Sequence, residues 1–459
     1  MDLQRFHEYF EKNREKHLQE LFEFLSIPSI SALSDHKQDI ERAAQWLKNQ
    51  MEQLNLENVS IDQTAGHPVV YGEWLHAEGK PTVLIYGHYD VQPVDPLHLW
   101  KTEPFKPEII ENKLYARGAS DDKGQIFMHL KAIEALFSIL GTLPVNVKFI
   151  YEGEEEIGSA NLPSYIEENK DKLAADFILI SDTNMYGPGK PAICYGLRGL
   201  TGLQIDVRGA KSDLHSGLYG GGVQNAIHAL VAILDSFRDH TGKILVEGFY
   251  DDVRPLSNEE RKAFADLQFN EEALKEELEV NELFGEEGYS YLERTWARPT
   301  LEINGIFGGF SGEGIKTVLP NEAGAKITCR LVPDQDPDKI IALIQNHIEK
   351  HTPKGVTVTV TKFDSGAPYL TPFDHPLIQT ASKSYEKVYE SPTAFTRGGG
   401  SIPIVATFDQ ILNIPVVLMG FGLSTENFHA PNEHFHLENF DKGLRVLCDY
   451  LCEVANLSL

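Results

Sequence analysis

Histidine and acidic side chains recur in this sequence where long apolar runs stop, beside glycines or small polar residues. Imidazole nitrogens and carboxylate oxygens are the donors that zinc and related divalent cations bind. The candidates are His88, Asp121, Glu155, Glu156, Asp182 and His429. Together these side chains predict a two-metal hydrolase centre in which one carboxylate is left over to act as a base.

The first of these positions is His88, which begins HYDVQP directly after the apolar run PTVLIYG. Ligands of open α/β sheets collect at the carboxyl ends of strands, and this histidine is placed there. Asp90 is placed to hydrogen-bond the far imidazole nitrogen, which would fix the tautomer of a ligating histidine. A histidine at the end of a strand is more often structural, so this motif alone is a weak signal.

Two acidic clusters follow, and each has a simpler explanation. Asp121 and Asp122 stand in ARGASDDKG at the start of a predicted helix, where acids commonly act as caps. Glu154, Glu155 and Glu156 follow VNVKFIY, where an exposed acidic turn is the simpler explanation. Three adjacent carboxylates at the end of a buried strand nevertheless cost free energy unless cations or protons neutralise them. The second cluster therefore favours a metal site.

The last two candidates are Asp182, which follows the apolar run FILI, and His429, which stands in the loop FHAPNE after IPVVLMG. Neither residue is unusual on its own. The same kind of residue nevertheless recurs at five predicted strand-end loops, and coincidence is a poor explanation of that recurrence.

The elements that must position these residues are strands and helices in alternation. Apolar strand-like runs alternate with helical stretches from residue 82 to about 200, and another strand and a closing helix occur near the C-terminus. This alternation predicts an α/β fold with a mostly parallel sheet that has helices on both faces.

The middle of the chain has a different pattern. Residues 201–208 and 325–332 alternate as half-buried strands do, and a predicted helix over 223–239 and a long acidic stretch lie between them. Leucines interleaved through the acidic stretch favour a solvated helical face over disorder. We therefore predict that a smaller α/β domain is inserted into the first. The predicted domains are a catalytic domain in two parts, 1–205 and 367–459, and an inserted domain, 206–366.

The composition excludes some classes of partner. Among 459 residues, 41 are Lys or Arg and 68 are Asp or Glu, which gives a formal net charge of −27. Such a charge repels nucleic acid and anionic membrane surfaces, although its commoner role is solubility. No run reaches the roughly 18 apolar residues of a membrane span, the N-terminal residues lack the apolar core of a signal peptide, and no CxxC pair occurs. We expect a reduced, cytoplasmic enzyme without nucleic-acid or membrane partners.

Five motifs occur in a characteristic order along the chain: HYDVQP, ARGASDDKG, EGEEEIGS, ISD and FHAPNE. This ordered set resembles that of the M20 family of metallopeptidases. Further segments are similar to its dipeptidase branch, which includes carnosinase-like and cytosolic nonspecific dipeptidases: YGLRGL, SDLHSGLYGG, WARPTLEINGI, KTVLPNEA, RLVPDQDP and GGGSIP. The resemblance extends over nearly the whole chain. It implies a catalytic α/β domain interrupted by a smaller α/β lid and dimerisation domain.

The resemblance implies a role for each candidate ligand. His88 and Asp182 would bind one metal ion. Glu156 and His429 would bind the other, and Asp121 would bridge the two. Zinc is expected, with manganese or cobalt as alternatives, because histidines and carboxylates suit all three metals. Two ions in such a site share a water molecule and lower its pKa toward neutrality.

Three further residues have implied roles around the reacting bond. Glu155 would be the general base that takes the proton of the water and passes it to the leaving amine. Asp90 would orient His88. His215, in SDLHSG, would meet the oxyanion in the active site of the partner subunit, so the resemblance also implies a homodimer.

The terminal carboxylate of the peptide substrate would be held by Arg330, Thr317 and Ser401, at positions that match the family. A guanidinium suits a carboxylate because the two groups form paired hydrogen bonds. One departure concerns the free amine of the substrate. In several relatives an acidic residue follows the arginine of the last motif, whereas here Gly398 follows Arg397.

Three functions are open at this point. The first is hydrolysis of dipeptides or short peptides with a free C-terminal carboxylate. The second is deacylation or desuccinylation of N-acyl amino acids on the same fold, and the third is a metal-binding or scaffold protein without catalysis. The segments WARPTLEINGI and 251–293 favour the first, and the complete candidate ligand set with Glu155 argues against the third.

Overall fold

The computed structural model describes residues 3–363, 365–400 and 402–458. The chain divides into two compact units, and each is formed by more than one segment of sequence. The first unit comprises Met1–Tyr195, Thr371–Thr396 and Thr407–Leu459. The second unit comprises Gly196–Leu370 and Arg397–Ala406.

The described strands, numbered in chain order, are β1 (Glu57–Asp62), β2 (Val69–Trp74), β3 (Thr82–His88), β4 (Glu108–Ile110), β5 (Lys113–Tyr115), β6 (Asn146–Glu152), β7 (Phe177–Ile180), β8 (Ala192–Leu197), β9 (Gly199–Arg208), β10 (Leu214–His215), β11 (Glu302–Gly308), β12 (Val318–Leu319), β13 (Glu322–Leu331), β14 (Thr357–Lys362), β15 (Tyr369–Leu370), β16 (Ala394–Gly398), β17 (Val416–Met419) and β18 (His434–His436).

The described α-helices are α1 (Leu3–Leu25), α2 (Lys37–Gln53), α3 (Lys123–Leu140), α4 (Leu162–Glu168), α5 (Lys170–Leu173), α6 (Ser216–Tyr219), α7 (Ala226–Asp235), α8 (Asn258–Asp266), α9 (Glu271–Glu277), α10 (Tyr291–Ala297), α11 (Pro337–His351), α12 (Pro376–Tyr389), α13 (Pro403–Leu412) and α14 (Leu437–Val454). None of the helices in the described part of the chain is both long enough and apolar enough to cross a membrane.

The main sheet of the first unit has its strands in the order β1-β2-β6-β3-β7-β17-β8. The central strands β6, β3, β7 and β17 are parallel neighbours, whereas β2 pairs with β6 and β8 pairs with β17 in antiparallel fashion. Parallel neighbours end at the same edge of the sheet, so the loops that follow them converge there. The α/β class with a parallel central sheet is confirmed.

Both faces of this sheet are buried because its central strands are apolar at successive positions. In β3, Val83 and Ile85 belong to the core that also contains the apolar faces of α1, α3 and α14. The alternate residue Tyr86 faces the other way, and its ring lies 5.1 Å from that of Phe408 in α13. Helices therefore cover both faces, as predicted from the β/α alternation.

The second unit is built on a four-stranded antiparallel sheet in the order β11-β13-β9-β14. Its strands alternate in burial, so one face packs against helices and the other is open. Leu203 and Ile205 of β9 pack with Ile233 of α7 and Ile344 of α11 in a separate core.

Two features of the second unit differ from the sequence patterns. The helix predicted over 223–239 is shorter, because the Asn225 side chain accepts a hydrogen bond from the Ile227 amide at 2.8 Å and caps α7. The acidic stretch forms the short helices α8 and α9, and Ser257 begins α8 with a capping box. The acidic stretch therefore contains helices, as predicted, but these helices are short.

Candidate metal centre

Three strand ends supply most of the candidate ligands. His88 is the last residue of β3, and its register partner in the parallel strand β6 is Glu152. Glu155 and Glu156 follow β6 in a single 3-10 turn, and Asp182 follows β7. Because β6, β3 and β7 are parallel neighbours, their ends bring these side chains to one edge of the sheet.

Two loops supply the remaining ligands. Asp121 precedes α3, in the turn that begins this buried helix. His429 lies in the loop after β17, with a φ of 56° in the left-handed region. Its side chain is 56% exposed, whereas that of His88 is fully buried. The candidate centre is therefore closed on the side of the sheet and accessible beside His429.

The candidate ligands form two triads that share Asp121. His88 Nε2 lies 3.2 Å from Asp121 Oδ1 and 3.9 Å from Asp182 Oδ2. His429 Nε2 lies 2.9 Å from Asp121 Oδ2 and 3.2 Å from Glu156 Oε2. Within each triad, the possible ligand atoms lie within 4.8 Å of one another. The two oxygens of Asp121 thus face different histidines.

The chemistry of this donor set fits bound cations. Burial and the charge of Asp121 raise the pKa of Asp182 well above its usual value. Burial also raises the pKa of Glu155, to about 7, and neighbouring Glu156 adds to the shift although His88 opposes it. Carboxylates crowded away from water are stable when cations neutralise them, so these side chains are arranged for positive charge.

The buried nitrogen of His88 supports the same conclusion. His88 Nε2 is inaccessible and makes no hydrogen bond of acceptable geometry among the described residues, although Asp121 is close. On the far side of the ring, Nδ1 lies 3.1 Å from the Asp90 carbonyl and 3.4 Å from Asp90 Oδ1. A proton on Nδ1 leaves the Nε2 lone pair directed at the carboxylates, where a cation would accept it.

Asp90 also holds the two glutamates. Its Oδ1 accepts a hydrogen bond from the Glu155 amide at 3.2 Å, and its Oδ2 accepts one from the Glu156 amide at 3.1 Å. One buried carboxylate thereby positions the end of β3 and the turn after β6 together. This second connection was not part of the sequence prediction.

The neighbouring Glu154 has a different role. It is buried, and its Oε1 accepts a hydrogen bond from the His67 amide at 2.9 Å. Asn161 Nδ2 donates to both of its oxygens, at 3.1 and 2.9 Å. Glu154 therefore holds the surrounding loops and lies in neither triad.

Sequence reasoning missed a buried glutamate that positions Asp121. Glu433 accepts hydrogen bonds from the amides of Gly118, Ser120 and Asp121 at 3.0–3.1 Å. The Arg117 guanidinium pairs with it at 2.7 Å. Glu433 stands four residues after His429, in the same loop. An acid in a polar loop looks exposed in sequence, so only its burial reveals this role.

Gln92 was missed for a similar reason. Its Nε2 donates to Glu156 Oε2 at 2.8 Å and to the Glu156 carbonyl at 3.2 Å. The residue lies within HYDVQP, so its place in that motif was the available signal. Gln92 therefore holds the same Glu156 oxygen that lies 3.2 Å from His429 Nε2 in the triad.

Three of the remaining predicted site residues lie in the second unit: His215, Thr317 and Arg330. His215 is exposed at the end of β10, which pairs with β12, and the Thr317 carbonyl accepts the Ser216 amide at 3.1 Å. His215 and Thr317 are thus neighbours. Arg330 is half-buried in β13, beside Thr300. Ser401 lies outside the described residues.

The segment that carries Arg397 is held by two side chains from other parts of the second unit. Glu260 of α8 forms a buried ion pair with Arg397. Arg198 Nε donates to the Gly399 carbonyl at 3.0 Å. The acidic stretch of the sequence therefore contributes one of its carboxylates to the interior of the second unit.

Comparison with known proteins gives one matching family model and many relatives. The model of Peptidase family M20/M25/M40 matches residues 84–453. The chain is 33% identical over 474 residues to the Cys-Gly metallodipeptidase dug1 of Schizosaccharomyces pombe, covering 100% of this chain and 99% of that protein. It is 30% identical over 474 residues to the Beta-Ala-His dipeptidase of Homo sapiens, covering 99% of this chain and 93% of that protein. The fold is similar to the M20 family metallo-carboxypeptidase Sso-CP2 of Sulfolobus solfataricus, with a TM-score of 0.81, 36% identity and coverage of 96% and 99%.

Proposed function

The chain belongs to Peptidase family M20/M25/M40, and from this premise we propose that it hydrolyses dipeptides or short peptides with a free C-terminal carboxylate. The predicted membership in the M20 family and its dipeptidase branch is confirmed, as is the prediction of an enzyme. The substrate class rests on the names of two relatives, which are dipeptidases for Cys-Gly and Beta-Ala-His.

The observation that carries the proposal is the pair of triads sharing Asp121. We propose that His88 and Asp182 hold one divalent cation, that Glu156 and His429 hold a second, and that Asp121 bridges them. Such cations act as Lewis acids on a carbonyl oxygen and lower the pKa of a coordinated water. The mixture of imidazole and carboxylate donors suits zinc, with manganese or cobalt as alternatives.

Glu155 is the proposed general base. It is close to both triads but belongs to neither. Burial raises its pKa to about 7 in the absence of cations, which suits a group that gains and loses a proton near neutral pH. Its carboxylate takes a proton from the attacking water and passes it to the amine that leaves. Asp90 keeps Glu155 in place through its main-chain amide.

The second unit is proposed to bind the substrate's terminal carboxylate and to act as a lid. Arg330, Thr317 and Ser401 are the proposed contacts. Arg330 supports this role because it lines a cavity of about 450 Å³, and a guanidinium matches a carboxylate in geometry. The lid proposal retains the predicted inserted domain, 206–366.

A homodimer is proposed in which His215 reaches the active site of the partner subunit. Two features support it. His215 is exposed and has its imidazole next to a turn rather than in a core. The edge strand β11 exposes Ile303, Ile306 and Phe307, and apolar edge strands of this kind pair with other chains. In a two-fold symmetric dimer, β11 of one subunit would pair along this edge with β11 of the other subunit.

A reducing, cytoplasmic location is also proposed. None of the cysteines in the described part of the chain forms a disulfide: Cys194, Cys329 and Cys448 are buried, and Cys452 is partly buried. Neither nucleic acid nor a membrane is proposed as a partner, since the formal charge of −27 repels both.

A second candidate is hydrolysis of N-acyl amino acids. Gly398 favours it, because the position lacks a carboxylate that would pair with the free amine of a peptide. The metal chemistry would be the same, and only the recognition of the substrate's N-terminal side would differ.

Metal analysis combined with a substrate panel tests the proposal. After reconstitution with zinc, manganese or cobalt, we expect two ions per chain and turnover of dipeptides. N-acetyl and N-succinyl amino acids serve as the comparison set. Turnover of only the acylated set would overturn the dipeptidase proposal in favour of the second candidate, and fewer than one ion per chain without turnover would overturn both.

A further inference from the structure

His429 lies in the loop that joins β17 to β18, residues 420–433, which we call the His429 loop. The His429 side chain is 56% exposed, whereas those of the other four candidate metal ligands are at most 17% exposed. Packing does not lock an exposed side chain in place, so hydrogen bonds of the loop have to position it.

The ring of His429 contacts two carboxylates, and both belong to proposed ligands. Its Nε2 lies 2.9 Å from Asp121 Oδ2 and 3.2 Å from Glu156 Oε2. Contacts with a cation would replace these contacts when the cation binds. Asp121 has a support of its own, because its main-chain amide donates to Glu433 at 3.1 Å. The position of His429 therefore depends on the path of the His429 loop.

A fully buried glutamate within this loop accepts four hydrogen bonds. Glu426 Oε2 accepts one from Ser120 Oγ at 2.5 Å and one from the Leu423 amide at 2.9 Å. Its Oε1 accepts one from the His436 amide at 2.9 Å. His436 Nδ1 lies 2.6 Å from the same oxygen, and since a carboxylate oxygen accepts, this nitrogen is the donor.

These hydrogen bonds connect three parts of the chain. Leu423 lies near the start of the His429 loop, and His436 is the last residue of β18, just beyond its end. Ser120 directly precedes Asp121. Glu426 therefore ties both ends of the His429 loop to the turn that carries the proposed bridging carboxylate.

The main chain of Glu426 closes the His429 loop as well. Its amide donates to the Leu423 carbonyl at 2.9 Å, and its carbonyl accepts from the His434 amide at 3.1 Å. The packing around this closure is tight, because a Cβ at Gly422 would lie 2.8 Å from Ser120 Oγ. The base of the loop is thus fixed by both the side chain and the main chain of Glu426.

We propose that Glu426 is a positioning residue that holds His429 ready for the cation proposed between Glu156 and His429, which we call the outer cation. The hydrogen bond from His436 assists Glu426. This inference rests on the proposed function, in which His429 is a ligand. A ligand that is already in place loses less conformational freedom on binding, so affinity is higher. Loss of Glu426 should weaken the outer cation more than the cation proposed at His88 and Asp182.

Zinc affinities of the full-length protein test the proposal. Glu426→Gln keeps the size of the side chain but turns one acceptor oxygen into an amino group that cannot accept. In competition with a chelator, we expect the Kd of the outer zinc ion to rise by about tenfold or more, and that of the other to stay within about twofold. A folded Glu426→Gln protein with wild-type Kd values for both ions would overturn the proposal.

A buried carboxylate elsewhere in the first unit is the matched control. Asp449 of α14 is fully buried and accepts hydrogen bonds from Ser384 at 2.8 Å and Lys387 at 3.0 Å. Asp449→Asn should lower the melting temperature without changing either zinc Kd. If Asp449→Asn weakened the outer zinc as much as Glu426→Gln does, the weakening would follow from lost stability alone, and the positioning role would be overturned.

His436 provides milder variants, because its side chain is 27% exposed. His436→Leu removes the donor to Glu426, whereas His436→Asn keeps a donor near the place of Nδ1. We expect the Kd of the outer zinc to rise by about fivefold in His436→Leu, as for one lost hydrogen bond, and to recover in His436→Asn. Equal Kd values in wild type and His436→Leu would overturn the part assigned to His436.

His429→Ala separates this inference from the proposed function. We expect this variant to lose the outer zinc. Two zinc ions bound with wild-type affinity in His429→Ala would overturn the proposed ligand role of His429, and this inference with it. Loss of one zinc in His429→Ala together with wild-type affinities in Glu426→Gln would overturn only the positioning role and leave the proposed function standing.

Discussion

The two units of the chain gather charge of opposite sign by different means. In the first unit, Asp121, Glu155, Glu156 and Asp182 are crowded at one edge of a parallel sheet. In the second, five arginines from positions far apart in sequence line one cavity: Arg198, Arg238, Arg294, Arg298 and Arg330. Glu155 and Glu156 are held through their own main-chain amides, which donate to the Asp90 carboxylate. Arg198 and Arg294 are held through their side chains, since each Nε donates to a main-chain carbonyl.

This contrast teaches what each region is arranged to receive. The first unit crowds carboxylates together, which is favourable when cations neutralise them. The first unit contains the residues proposed to hold cations, and the second contains Arg330, a proposed contact of the substrate's terminal carboxylate. The predictions below test the proposed roles of charged residues in both units.

The largest effect is expected at the proposed base. Glu155→Gln keeps the shape of the side chain but removes its ability to accept a proton, so kcat should fall by about 10²–10⁴-fold. Bound metal, measured by elemental analysis, should stay at the wild-type level. Exposed Glu168 offers the control variant Glu168→Gln. A Glu155→Gln enzyme with wild-type kcat would remove Glu155 from the proposed role.

A large effect on stability is expected at the glutamate that positions Asp121. Glu433→Gln leaves the buried guanidinium of Arg117 without its carboxylate, so the free energy of unfolding of the first unit should fall by about 3–5 kcal/mol. Urea unfolding of the metal-free protein measures the change without a contribution from metal affinity.

The control for that experiment lies on the surface of α14. Glu438 pairs with Lys442 one turn away, and its side chain is 66% exposed. Glu438→Gln should change the free energy of unfolding by less than about 1 kcal/mol, because exposed ion pairs contribute little. Equal losses in the two variants would show that Glu433 has no special structural role.

A smaller but diagnostic effect is expected from mixing two inactive variants. Subunits with His215→Ala and subunits with Arg330→Ala are each expected to be inactive as homodimers. Random exchange makes half of the dimers mixed, with one intact site in two, so about a quarter of wild-type activity should return. No recovery in dimers confirmed by light scattering would contradict the contribution of His215 to the partner's site.

The smallest effect concerns the pH dependence of stability without metal. The pKa of Glu155 is raised to about 7, by burial first, and that of His429 to about 10, by Asp121 and then Glu156. Both values exceed the ordinary ones of 4.5 and 6.5, so the folded chain binds more protons than the unfolded chain between those limits. Stability from these groups is therefore present at low pH and lost as pH rises.

The measurement is the melting temperature of chelated protein between about pH 6 and pH 9. We expect it to fall by a few degrees across this range, and to fall less in protein loaded with metal, where cations replace the protons. A melting temperature that rises with pH in the chelated protein would contradict this account of the charges.

The sequence alone was sufficient to predict the features that depend on the order of residues along the chain. Strands such as β3, β6 and β7 appear as apolar runs, and the residues at their ends follow directly from chain position. Parallel pairing then brings those ends together, which is why the two triads contain the residues chosen from sequence. The family followed from motifs in order. In contrast, the antiparallel strands β1 and β2 and the helix α2 were not predicted, although α2 has apolar residues at helical spacing, such as Ile40, Ala44 and Leu47.

Only the tertiary structure decided which polar residues are buried and which charges meet. Glu433 and Gln92 look like surface residues in sequence, yet they direct Asp121 and Glu156. One cavity of the second unit is lined by residues more than 100 positions apart, such as Arg198 and Arg330. No local sequence pattern indicates that such residues lie close together. The free-energy cost of placing like charges near one another is offset only by the surroundings in the folded protein. The sequence by itself determined which residues are candidate metal ligands. The tertiary structure decided which buried side chains hold those ligands in position.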